Sequence, residues 1–92
     1  MWIEIIEIRS FPGSCNLLEL HIKSFREVIQ KKHPNQSIKV FSKANLNTDF
    51  VILIHNESID YKSEGSKLGL QMASALKEFG MINHAVWLEF QS

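Results

Sequence analysis

The opening residues, Trp2-Ile3-Glu4-Ile5-Ile6-Glu7-Ile8-Arg9, alternate imperfectly. Trp2, Glu4, Ile6 and Ile8 share one side of an extended chain, and Ile3, Ile5, Glu7 and Arg9 share the other. Each side is at least half apolar, which predicts an inner strand covered on both faces over part of its length. Phe11-Pro12-Gly13-Ser14 ends it, with Gly13 suited to a positive φ. From Leu17 to about Lys32 the period changes. Leu18, Ile22, Phe25 and Ile29 recur at helical spacing, Leu17 and Val28 widen the stripe, and Glu19, Lys23, Arg26 and Glu27 supply a wet face. Asn16 and Glu19 have the spacing of a capping box, and Lys31-Lys32 before His33-Pro34-Asn35 suits a helix end.

Ser37 to Lys43 reads as a short edge strand, with Ile38 and Val40 inward and Lys39 and Lys43 outward. Asn45 to Thr48 leaves no room for a helix, so the following strand must run antiparallel. That strand, Phe50-Val51-Ile52-Leu53-Ile54, is apolar on both faces and is the strongest interior-strand signal. A second helix is expected over 63–79, with Leu68, Met72, Leu76 and Phe79 as its buried stripe and Gly80 as a left-handed stop. Gly65 and Gly69 weaken its start by about 1 kcal/mol each relative to Ala, unless they permit close approach of a neighbour. The last strand covers 82–90 and again carries apolar residues on both sides, with His84 and Glu89 among them.

The order strand, helix, strand, strand, helix, strand predicts an α+β, ferredoxin-like β-α-β-β-α-β domain spanning residues 1–92. Both helices fall on one face of a four-stranded antiparallel sheet. Its other face is also apolar and calls for a second sheet, most simply from another copy of the chain, so a homodimer is expected.

Composition narrows the function classes. Ten basic residues balance ten acidic ones, so no broad positive field argues for nucleic acid. The longest apolar run is far too short for a membrane span, and the first residues lack the basic start of a secretion signal. A cytoplasmic protein is the expectation. The single cysteine, Cys15, excludes an internal disulfide and any CxxC pair, and the four histidines show no HxH, HxxxH or HExxH grouping. No metal or cofactor is implied.

The Pro-Gly turn in "RSFPGS" (9–14), two amphipathic helices and a last strand containing "NHAVWLEF" (83–90) resemble the dimeric alpha/beta-barrel superfamily, in particular the small antibiotic-biosynthesis monooxygenase-like proteins. The resemblance covers the layout from Trp2 to Phe90. It implies a homodimer whose sheets form an alpha/beta barrel, a pocket between sheet and helices, and, in some members, cofactor-independent oxidation of an aromatic small molecule by molecular oxygen. The haem-degrading branch has an Asn on the first strand, a Trp on the third and a His on the second helix. This chain has no Asn within 1–9, no Trp within 49–56 and no His within 63–80.

His84, Glu4 and His55 are the candidate catalytic residues. A strand-borne histidine can act as acid or base near neutral pH. The simpler expectation for His84 is a hydrogen-bonded core or rim residue, and for His55 an exposed strand end. Glu4 either meets solvent at a strand start, the simpler expectation, or is buried and paired; neighbouring first and last strands would bring it towards His84 or Glu89. Trp2, Phe41, Tyr61 and Trp87 are candidates for lining a hydrophobic or aromatic pocket, and equally for packing. Three readings follow: an oxygenase, a binder without turnover, and a structural dimeric module.

Overall fold

The computed structural model describes residues 1–32 and 35–90. Six elements follow one another: β1 (Trp2–Ser10), α1 (Cys15–Lys32), β2 (Gln36–Lys43), β3 (Leu46–Asn56), α2 (Lys67–Leu76) and β4 (Gly80–Leu88). The strands form one antiparallel sheet in the order β2-β3-β1-β4. The expected topology is therefore present; of the three strands read as apolar on both faces, β1 and β3 lie in the middle and β4 at an edge.

The expected barrel is not. β2 and β4 are free edges, and the sheet is an open layer. Four strands are too few to curl round a side-chain-filled interior, which takes about eight. Here two helices close one face instead.

Alternation decides which side chains they cover. Ile6 and Ile8 of β1 and Phe50, Ile52 and Ile54 of β3 meet Leu18, Ile22 and Ile29 of α1 and Leu68, Met72 and Leu76 of α2. Each such side chain, fully buried, contributes roughly 1.5–3 kcal/mol relative to exposure. The opposite face carries Ile3, Ile5, Val51, Leu53 and Ala85 half-buried, and Phe41 and Trp87 exposed. No helix lies over it.

Several local expectations shift. α1 begins at Cys15, with the Leu18 amide donating to the Ser14 carbonyl, so the Asn16–Glu19 box lies inside the helix and does not start it. Its buried stripe is narrower than the pattern suggests, because Leu17 and Val28 are exposed. The His33-Pro34 stop lies outside the described residues. α2 is shorter than 63–79, and Ser66 caps it by accepting from the Gly69 amide. Gly13 has the positive φ expected of it, whereas Gly80 does not. Gly80 opens β4 where any Cβ would overlap the Arg9 carbonyl oxygen. No described helix is long and apolar enough to cross a membrane.

Candidate functional site

Glu4 is completely buried, contrary to the expectation of a solvent-facing strand start. It points to the helix-covered side of β1, where the start of α2 passes over the sheet. Two donors converge on each carboxylate oxygen. Oε1 accepts from the Ser66 backbone amide at 2.9 Å and lies 2.9 Å from His84 Nε2. Oε2 accepts from the Ser66 hydroxyl at 2.6 Å and from Asn56 Nδ2 at 3.0 Å. An acceptor-only carboxylate satisfies all four, with His84 donating from Nε2.

An outer ring holds those partners in place. Gln36 Nε2 donates to Asn56 Oδ1 at 2.6 Å and to Ser66 Oγ at 3.3 Å. The Gly69 amide donates to the same hydroxyl oxygen at 3.0 Å. Strands β1, β2, β3 and β4 and Ser66, the cap of α2, each contribute a side chain, so the cluster ties the sheet to the helix start. Because Ser66 gives Glu4 both its amide and its hydroxyl, the carboxylate also sits at the electropositive end of α2.

The pair fits only because two positions lack a Cβ. At Gly69 a Cβ would overlap the Glu4 carboxylate, and at Gly65 it would come within 2.5 Å of His84 Cε1. Gly65 also has φ +109°, a conformation that side-chain-bearing residues rarely adopt. The glycine pair thus serves close approach, and what approaches is the Glu4 carboxylate with its His84 partner.

Of the three sequence candidates, the fold brings Glu4 and His84 together and leaves His55 apart. His55 pairs with Ile3 and Ser37 across the sheet and is half-buried on the face away from the helices. Glu89 is exposed beyond β4 and does not join the cluster. The aromatic residues do not converge either. Trp2 is buried on the helix side, Phe41 and Trp87 belong to the opposite face, and Tyr61 is in the exposed loop before α2. Asn56, Ser66 and Gln36 are functional candidates that sequence reasoning passed over; a polar residue ending an apolar strand, as Asn56 does, was the available signal.

Chemically, the cluster is a filled one. Ser66 Oγ donates to a carboxylate and contacts no histidine in the described network, so it is not an activated nucleophile. His84 keeps 11% of its side-chain surface exposed, and Gln36 and Ser66 are likewise only partly buried. Surface depressions lie both apart from the cluster and beside it. One of about 570 Å³ adjoins Arg9, Phe41, Lys43, Asp49 and Asn83. Another, of about 270 Å³, adjoins Trp2, Gln36, Asn56 and Ser66 on the flank of the cluster. Trp2 Nε1 is the one buried side-chain polar atom without a partner among the described residues. A buried donor in that state costs about 1–3 kcal/mol. No group of three or more metal-ligating His, Cys, Asp or Glu side chains occurs among the described residues.

Among solved structures, a protein of Deinococcus radiodurans described as a candidate antibiotic biosynthesis monooxygenase superposes with a TM-score of 0.74. That match is 11% identical and covers 100% of this chain and 95% of the other. The fold is that of the antibiotic-biosynthesis monooxygenase-like proteins. Rv0793 from Mycobacterium tuberculosis shares it at a TM-score of 0.72, with 13% identity over 99% of this chain and 96% of its own. So does a variant of SnoaB, a cofactor-independent oxygenase from Streptomyces nogalater, at 0.68 and 11% identity, over 99% and 95% of the two chains. No family model and no curated protein matches the sequence. At these identities the monooxygenase-like likeness is one of fold.

Proposed function

We propose that the protein is a non-catalytic binding or structural module of the monooxygenase-like fold, working as a homodimer joined through the open face of its sheet. The observation that carries this reading is the saturation of Glu4: two donors on each oxygen hold the carboxylate in place and leave it no free lone-pair direction towards a substrate. The apolar side of the sheet, with Ile3, Ile5, Val51, Leu53 and Trp87, supports the homodimer. A two-fold pairing covers this face with its own copy and needs no further chain.

A second reading has one observation in its favour. Fold likeness to an oxygenase described as cofactor-independent supports oxidation of an aromatic small molecule by molecular oxygen. His84 would then meet the substrate, with Glu4 as its orienting partner and His55 remote from both. Oxygen uptake by the purified, metal-stripped protein with dihydroxyaromatic substrates separates the two. The module reading expects a background rate and a solution mass of two chains. Uptake above background that disappears in His84→Ala, with the fold intact by circular dichroism, would establish the oxygenase instead.

A further inference from the structure

The flank of the buried cluster carries an unused donor beside a recess. Trp2 is 5% exposed, lines this recess of about 270 Å³, and has no acceptor for its indole Nε1. Gln36, Asn56 and Ser66 form the adjoining wall, and their mutual hydrogen bonds commit them to one another and to Glu4. Lys62, Lys67, Glu57 and Asp60 also line the recess, two charges of each sign.

We propose that this recess binds a small neutral ligand through a carbonyl oxygen that accepts from the Trp2 indole N–H. The inference rests on the reading of the chain as a binding module and gives it a site and a ligand class. Its chemistry follows from what the wall lacks. Among the described buried side-chain polar atoms only this donor is left over, so the complement is an acceptor. A carbonyl oxygen meets that condition without bringing a donor of its own. Two lysines cancel two carboxylates at the rim, and Glu4 lies behind Asn56 and Ser66, so an anion gains little there. The volume falls just below the roughly 300–1,000 Å³ of sites for drug-sized ligands, which limits the occupant to a small molecule.

Reaching the indole requires a slight outward movement of the wall, and the loop between β3 and α2 is the part able to give. Residues 57–64 are exposed throughout, Ile59 is 94% exposed, and Ser58 and Asp60 bond each other. A segment with so few buried contacts opens at low cost.

Heteronuclear NMR of the nitrogen-labelled full chain tests the proposal, because only Trp2 and Trp87 give indole N–H signals. Trp87→Phe assigns them. Titration with N,N-dimethylacetamide, a carbonyl acceptor without N–H donors, is expected to move the Trp2 signal saturably downfield and leave Trp87 in place. Trp2→Phe should weaken ligand-observed binding roughly two- to tenfold, the worth of one neutral hydrogen bond. A Trp2 signal that stays still, or that moves only in step with Trp87, overturns the proposal. A larger response to acetate overturns the neutral-carbonyl assignment. The titration involves no turnover, so oxygen uptake in the assay above would overturn the non-catalytic reading and leave this result standing.

Discussion

At Glu4 the relevant energy is that of a buried carboxylate whose partners are buried with it. Removing one side of such an arrangement leaves the other desolvated and unpaired, which is worth more than the pair contributes over apolar packing. Glu4→Ala is therefore expected to destabilise the protein by about 3–5 kcal/mol, read from the urea midpoint at unchanged slope. Glu4→Gln keeps the shape but turns one acceptor oxygen into an NH2 group facing donors, and should cost about 1–3 kcal/mol. Gly69→Ala tests the notch. At an exposed helix position this change gains about 1 kcal/mol, but here the new methyl overlaps a carboxylate that four hydrogen bonds hold still. The sign should reverse to a loss of about 1–3 kcal/mol by the same measurement. Glu4 was singled out from sequence, but its burial was not legible there, because a glutamate near a strand start is usually solvated. His84 was singled out, yet its partner was one of two carboxylates the topology allowed.

Helix α2 shows how a neighbour sets an element's limits. Its apolar stripe, Leu68, Met72 and Leu76, was legible from spacing and is buried as expected. Its first residue was not, because local composition allowed a start at Ser63. The helix starts just after Ser66 because that residue caps the Gly69 amide while its own amide and hydroxyl bond to Glu4. Ser66→Ala should cost about 1–3 kcal/mol, combining a lost cap with a buried acceptor left short of a donor. Hydrogen exchange should show that loss first at the amides of Lys67 to Leu70, while the β1–β3 ladder keeps its protection. α1 makes the complementary point. Its stripe looked wider in sequence because Leu17 and Val28 lie beside the buried contact line, where both stay exposed.

For the whole molecule, the consequential feature is a sheet with two apolar faces and helices for one. Burying the second face in a homodimer predicts that Leu53→Glu, at the centre of the open side, yields a monomer by light scattering. Its far-ultraviolet dichroism should be unchanged, since the helix-side core does not involve Leu53. A wild-type protein already monomeric at micromolar concentration would show that this face is left to water or to another partner.

Element order, strand direction and the central place of β1 and β3 were readable from alternation, spacing and turn residues, because those signals are local and repeat along the chain. Which half of each strand's side chains lies under the helices was not, since parity divides a two-sided apolar strand without ranking its faces. Adjacency between residues far apart in sequence was equally out of reach. Glu4, Asn56, Ser66 and His84 meet because antiparallel register sets β1 between β3 and β4 and the loop after β3 brings α2 back across them. No local pattern encodes that meeting. It is a property of register and packing, and so is the indole left without an acceptor.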